Sequence, residues 1–205
     1  MTGARAGCLL YLMLPEGGGT EDIMKEKRFY NSTRHLCLAA MFMALTIVLS
    51  MSVLSIPVPG GHLYINDIPI CTAALIFDPI TAMVVGGVGA FLGDLIFYPT
   101  PMFVSLVTHG LQAAVISLLA HRRKGQLSDA ILGVTAGAVI MVTGYSLGRA
   151  FVYATPEAAI LKLPFQILQA VVGAAVSVVL CYGFKLRAAA EKIPLCMERF
   201  TLKPF

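Results

Sequence analysis

The stretch ITAMVVGGVGAFLGDLIFY, residues 80–98, decides the fold class of this chain, and Asp94 is its only charged residue. A helix that crosses the hydrocarbon core of a bilayer needs about 20 mostly apolar residues, at a rise of about 1.5 Å each. The stretch therefore predicts a transmembrane helix. The composition agrees, because 13% of the chain is charged, whereas a soluble domain carries about 25%.

Five other apolar segments accompany this one, so the predicted fold is an all-α integral membrane protein with six transmembrane helices. The second segment is too short to cross alone, and Asp78-Pro79 separates it from the third. We expect it to begin nearer Asn66 and to be partly buried in protein. The predicted spans are residues 36–54, 68–77, 80–98, 102–120, 130–151 and 158–184.

Six spans put both termini on one side of the membrane, and the basic residues identify that side. It receives thirteen of the fifteen Lys and Arg residues: five before the first span, three in the loop 121–124 and five after the sixth span. The opposite side receives only Arg149 and Lys162. The positive-inside rule therefore makes both termini cytoplasmic. This topology also explains the net charge of +4, which needs no nucleic-acid partner.

The charge pattern divides the chain into four parts. Residues 1–23 are expected to be a disordered N-terminal extension, because their apolar stretch is too short to span a membrane and residues 15–22 are Gly-rich and acidic. They also lack the features of a secretory signal. Residues 24–35 are predicted to be a cytoplasmic segment, residues 36–186 the six-helix membrane domain, and residues 187–205 a cytoplasmic tail. The five cysteines have no metal-ligand spacing, so neither a metal nor a cofactor is expected.

Polar residues within the spans share one depth, the outer half of the membrane. The fourth span carries four of them at i, i+3, i+4 and i+7, which puts them on one helix face. These residues are Asp94 on the third span; Ser105, Thr108, His109 and Gln112 on the fourth; Tyr145 and Arg149 on the fifth; and Lys162, Gln166 and Gln169 on the sixth. Because polar groups are costly inside a membrane, the pattern predicts a polar pocket that opens outward and is closed toward the cytoplasm.

The loop between the first two spans, residues 55–67, is predicted to lie over this pocket as a lid. Its prolines stiffen it, and a Gly-Gly pair permits a sharp turn. His62 and Tyr64 are the predicted lid residues, and a simple connector is the alternative. The predicted substrate-binding residues are Asn66, Asp67, Asp94, His109, Gln112, Tyr145, Arg149, Lys162, Gln166 and Gln169.

A purely structural role is the alternative for each polar set. Asp94 would form a buried ion pair with Arg149 or Lys162, and His109 would pack between helices. The two glutamines of the sixth span would join helices by hydrogen bonds. The shared depth of all these groups favours the pocket.

Aromatic and basic side chains bear on the expected ligand. Tyr64, Tyr145 and Phe151 would stack on a flat heterocycle near the pocket. Tyr98 and Tyr153 are instead interpreted as residues of the membrane interface. The two basic residues on the outer side make the pocket mouth cationic, which favours a ligand with an anionic or electron-rich group.

Small residues predict two packing surfaces. They repeat at i, i+4, i+8 and i+11 from Ala82 to Gly93, a close-packing stripe on the third span. Ala40 and Ala44 form a second patch near the cytoplasmic end of the first span. This patch either packs inside the protein or docks a partner membrane subunit.

Five groups of residues carry a family resemblance. They are LAAMFMA at 38–44, IPVP at 56–59 leading to NDIP at 66–69, GGVGAFLGD at 86–94, GY at 144–145 and LPFQILQ at 163–169. In order and spacing, the chain resembles the substrate-binding S components of energy-coupling factor (ECF) vitamin transporters, within the riboflavin-type group. The likeness covers about Arg34 to Lys185.

The resemblance implies a multi-pass protein of a bacterial plasma membrane that captures a vitamin outside and has no enzymatic activity. It implies partners as well: a transmembrane coupling subunit, which the family docks at the positions of Ala40 and Ala44, and two ABC-type ATPases. Consistently, the sequence has no GxxxxGKS/T phosphate loop. Riboflavin, a pyridoxine-like ring and a hydroxymethylpyrimidine all remain open as ligands.

Two other classes of protein remain as alternatives. An intramembrane enzyme would need paired acidic motifs at the membrane interface, and Asp67, Asp78 and Asp94 do not form such clusters. A self-sufficient channel or secondary transporter usually shows internal repeats and helices broken near the midplane. The sequence has no convincing repeat, and the inner halves of its spans lack polar residues to line an exit path.

Overall fold

The computed structural model describes residues 33–50, 56–59, 61–122 and 126–186, and in these the chain forms six α-helices and one two-stranded sheet. The elements are α1 (Thr33–Leu49), β1 (Ile56–Val58), β2 (Gly61–Leu63), α2 (Asp67–Ile76), α3 (Pro79–Phe97), α4 (Met102–Ala120), α5 (Leu127–Gly148) and α6 (Pro156–Val178). A π-helical turn follows α5 at Arg149–Tyr153, and another follows α6 at Val179–Gly183.

The predicted extension 1–23 and the predicted tail 187–205 lie outside the described residues, as does most of the segment 24–35. The contacts of the site lie between described residues from position 37 onward. The domain boundaries inferred from the sequence therefore stay predictions.

Among the helices of the described residues, four are long and apolar enough to cross a membrane: α3, α4, and α5 and α6 with their π-helical turns. They follow the predicted spans to within three residues at each end. Their outer surfaces expose large apolar side chains such as Ile96, Phe103 and Ile160. Lipid tails are as apolar as leucine, so such a surface suits a bilayer. α1 and α2 are apolar but shorter than these four helices. The six membrane crossings therefore stay a prediction.

α2 is a short helix enclosed by protein. Its ten residues span about 15 Å, half the thickness of the hydrocarbon core. Nine of the ten are buried, including Asp67 at its first position, and the helix packs against α3, α4 and α6. The expectation that this segment begins near Asn66 and is partly buried is confirmed.

The break between α2 and α3 follows from local chemistry. Oδ2 of Asp78 accepts a hydrogen bond from the backbone N–H of Thr81 at 3.1 Å and so caps α3. Pro79 occupies the first helical position, where its fixed φ suits a helix and its missing N–H costs no bond. The same two residues end one helix and start the next.

The small-residue stripe on α3 is buried, as its sequence pattern predicted. Beside it, α3 and α4 approach so closely that their backbones are in contact. A Cβ on Gly87 would lie 2.9 Å from the carbonyl oxygen of Leu106 and 3.1 Å from Cα of Gly110. Backbone atoms of a packed helix cannot move aside cheaply, so only glycine fits at position 87.

The loop 55–67 contains a β-hairpin, which the sequence did not predict. Ile56 pairs with Leu63 and Pro57 with His62, in antiparallel register. The sequence signal is weak because proline lacks the N–H of a strand ladder and is confined to edges. With only two strands, both are edges, and the proline is tolerated.

Replacing Gly87 by valine should destabilise the protein by about 1–3 kcal/mol, the usual cost of overpacking a close helix contact. Gly183→Val is the matched control, because Gly183 is exposed and the nearest atom to its Cβ position is 3.6 Å away. Thermal unfolding of both variants in detergent measures the difference. Equal midpoints for the two variants would contradict the close α3–α4 contact.

Candidate functional site

A cavity of about 130 Å³ lies beside the hairpin, between the C-terminal ends of α3 and α5 and the N-terminal halves of α4 and α6. Its wall combines charged, amide and aromatic side chains. The lining residues are His62, Tyr64, Asn66, Asp94, Tyr98, Pro101, His109, Met141, Tyr145, Arg149, Tyr153, Lys162, Gln166 and Gln169. Polar groups from the hairpin and four helices thus converge on one small space.

The fold brings the sequence-predicted residues together around this cavity. Eight of the ten predicted substrate-binding residues line it, and so do both predicted lid residues, His62 and Tyr64. The other two, Asp67 and Gln112, are 1% exposed and lie behind the wall.

Four lining residues were missed: Tyr98, Pro101, Met141 and Tyr153. Tyr98 and Tyr153 had been interpreted as membrane-interface residues, and both instead line the cavity. Each lies four positions from a predicted polar residue, a spacing that keeps neighbours on one helix face. Phe151 was wrongly expected near the pocket: it lies within the π-helical turn that follows α5 and is 79% exposed.

A chain of hydroxyl groups supports Asp94 in the wall. The hydroxyl of Ser105 on α4 donates to Oδ2 of Asp94 on α3. The hydroxyl of Tyr145 on α5 lies 2.5 Å from the same Ser105 oxygen. Because the one hydrogen of Ser105 goes to the carboxylate, Tyr145 is the donor to Ser105. These hydrogen bonds join α3, α4 and α5. The sequence pattern had predicted that the three side chains lie at the same depth in the membrane.

Behind the cavity, Asp67 is the centre of a second network. Its Oδ2 accepts from Nε2 of Gln169 at 2.6 Å, and its Oδ1 accepts from Nε2 of Gln112 at 3.3 Å. Oε1 of Gln112 in turn lies 2.7 Å from Nδ1 of His109. The ring of His109 meets that of Tyr145 edge to face, with centroids 5.2 Å apart. The two networks therefore touch at the cavity wall.

The hairpin is held over the cavity by two hydrogen bonds to α6. Nζ of Lys162 donates to the carbonyl oxygen of His62 at 2.5 Å, and Oε1 of Gln169 accepts from the backbone N–H of Tyr64 at 3.1 Å. The ammonium also lies 5.6 Å from the centre of the Tyr64 ring, within cation–π range. These contacts fix the position of the hairpin over the cavity.

Burial, with the negative charge of Asp94 as the second cause, raises the pKa of the Tyr64 phenol from 10.0 to about 12. The hydroxyl therefore stays protonated throughout the physiological range. A neutral Tyr64 keeps the cavity mouth free of a further negative charge beside Asp94.

Comparison with known proteins agrees with this fold. Residues 30–186 match the family of ECF-type riboflavin transporter S components. A solved structure of the S component of a bacterial ECF transporter superposes with a TM-score of 0.62 at 20% identity, covering 77% of this chain and 97% of that one.

Two relatives have similar sequences. The thiamine precursor transporter HmpT of Lactococcus lactis subsp. cremoris is 32% identical over 144 residues, which are 68% of this chain and 81% of the relative. An uncharacterised protein in the gap 3' region of Pyrococcus woesei is 31% identical over 144 residues, 70% of this chain and 96% of the relative.

The chain belongs to the family of ECF-type S components. It is therefore a membrane protein that captures a vitamin or vitamin precursor for ECF transport, and it works with partner subunits of an ECF module. It is a transporter component rather than an enzyme. The family resemblance inferred from the sequence is confirmed.

Replacing Lys162 by methionine should loosen the hairpin, because the bond from its ammonium to His62 is lost while the apolar stem remains. A hydrogen bond to a charged group is worth about 1.5–3 kcal/mol, so exchange of the amides in β2 should accelerate roughly tenfold or more. Hydrogen–deuterium exchange of the ligand-free protein measures this.

Lys185→Met removes a lysine beyond the far end of α6 and is the matched control. Unchanged exchange in Lys162→Met, or the same acceleration in both variants, would show that Lys162 does not hold the hairpin.

Proposed function

We propose that this chain binds a vitamin precursor with a single aromatic ring in the cavity between the hairpin and α3 to α6. The observation that carries the proposal is the cavity itself, whose volume is about 130 Å³. An apolar cavity of about 150 Å³ holds one benzene molecule. A hydroxymethylpyrimidine or a pyridoxine-like ring matches this scale, whereas riboflavin adds two further fused rings and a ribityl chain.

The relationship to HmpT supports a ring of this size, since that relative is a thiamine precursor transporter. The family description, which refers to riboflavin, supports the larger ligand. We favour the smaller ring because cavity volume limits what the closed hairpin can cover.

The proposed roles of the wall residues follow from their chemistry. Tyr145 and Tyr153 present aromatic faces to a flat ring. Asp94, His109 and Gln166 offer polar groups to its substituents. Arg149 would meet an electron-rich substituent, the role inferred from the cationic mouth.

We propose further that the chain crosses the membrane six times with both termini in the cytoplasm. The hairpin and cavity then face outward, as the distribution of basic residues favours. Its module would comprise a transmembrane coupling subunit and two ABC-type ATPases, which hydrolyse ATP on its behalf. Ala40 and Ala44, both exposed on α1, would form the docking surface, because small residues let two helices approach closely.

The purified protein without any partner should bind an amino-hydroxymethylpyrimidine or pyridoxine at least about tenfold more tightly than riboflavin. The reason is that riboflavin must displace the hairpin to enter. Isothermal titration of the emptied protein measures both affinities. Tight riboflavin binding with no response to the single rings would contradict the proposed ligand class and leave the transporter family intact.

The double variant Ala40→Leu with Ala44→Leu should lower vitamin uptake by cells that co-express the ECF module by about tenfold or more. Ligand binding by the purified variant should be unchanged, since both residues lie away from the cavity. Ala175→Leu, at an exposed alanine of α6, is the matched control. Equal uptake by the two variants would exclude this patch as the docking surface.

A further inference from the structure

The orientation of one buried amide is set by its neighbours. Nε2 of Gln112 faces the Asp67 carboxylate and also lies 3.6 Å from Sγ of Cys71. A carboxylate only accepts hydrogen bonds, so the amide nitrogen of Gln112 must point at it. The carbonyl oxygen of Gln112 is thereby directed at His109.

This orientation determines which nitrogen of His109 carries the proton. Nδ1 of His109 lies 2.7 Å from Oε1 of Gln112, an acceptor, so Nδ1 must be the donor. In a neutral imidazole the other nitrogen then has a free lone pair. Nε2 makes no hydrogen bond within the described part of the chain, and the ring lines the cavity. His109 thus presents an acceptor to the ligand.

The side-chain amides of Asn66 and Gln166 in the same cavity wall also direct their nitrogens at acceptors within the protein. Nδ2 of Asn66 donates to Ser50 at 3.0 Å, which leaves its Oδ1 enclosed and without a partner among the described residues. Nε2 of Gln166 donates to the carbonyl oxygens of Met141 and Val142, at 3.3 and 3.2 Å. In each case at least one amide N–H is used inside the protein, and the carbonyl oxygen has no donor among the described residues. A buried acceptor without a donor is costly.

We propose that the relay Asp67–Gln112–His109 fixes His109 as a hydrogen-bond acceptor, and that this selects a ring bearing N–H donors, such as an exocyclic amine. The proposal rests on the proposed function and narrows its ligand class to amino-substituted heterocycles. Asp67 and Gln112 do not line the cavity and act as positioning residues for His109.

Nitrogen NMR of the ligand-free protein with labelled histidine tests the relay without any ligand. The His109 signal, assigned by its loss in His109→Asn, should show a protonated Nδ1 and an unprotonated Nε2. A protonated Nε2, whether in the other tautomer or in an imidazolium, would overturn the proposal.

Ligand selectivity tests the consequence. Wild-type protein should bind amino-hydroxymethyl-methylpyrimidine about tenfold or more tightly than the same ring without its amine, the range expected when a buried acceptor loses its donor. Gln112→Met removes the relay without touching the cavity, and the preference should fall to about twofold. Gln126→Met, at an exposed glutamine before α5, should keep the full preference.

The outcomes separate this proposal from the proposed function. Rings that bind with equal affinity with and without the amine would overturn the relay and leave the single-ring ligand intact. Equal weakening of both rings in Gln112→Met would show a merely structural role for that residue. Failure of every single ring to bind would overturn the ligand class itself.

Discussion

The burial of the Asp67 carboxylate is the constraint on which the rest of the structure depends. An unpaired charge in an apolar interior is strongly unfavourable, and Asp67 is 1% exposed. Its position in the first turn of α2 offsets part of this cost, because the positive end of the helix dipole lies there. Hydrogen bonds from the side-chain amides of Gln112 on α4 and Gln169 on α6 offset the rest of this cost. One carboxylate therefore fixes where three helices meet.

That constraint explains how so short a helix is held within the membrane domain. α2 alone is too short to reach across a bilayer, and its backbone ends would be costly in lipid. Packing against α3, α4 and α6 instead buries nine of its ten residues. The close approach of Asp67 to Gly173 on α6 belongs to the same packing, since a Cβ on that glycine would lie 2.6 Å from Cβ of Asp67. A small residue on α6 thus leaves space for α2, and hydrogen bonds from polar side chains hold it in place.

The sequence predicted most of the helices and much of the site, for different physical reasons. Apolar runs marked α3 to α6, because lipid requires them. Polar spacing of three and four residues found His109, Lys162 and Gln169. The hairpin was not predicted, because Pro57 within its first strand weakens the strand signal. Tyr98 and Tyr153 were assigned to the membrane interface from their depth alone. Their spacing of four residues from Asp94 and Arg149 was the signal that indicated the cavity.

Gln169 couples the hairpin to the network behind the cavity. Its Oε1 accepts from the hairpin N–H of Tyr64, while its Nε2 donates to Asp67. If the hairpin lifts, Oε1 of Gln169 loses its donor; the residue is 6% exposed, and leaving a buried acceptor unpaired costs about 1–3 kcal/mol. Turning the amide to find a new donor would withdraw Nε2 from the buried carboxylate, which is more costly still. The closed hairpin and the ordered Asp67 network therefore support each other.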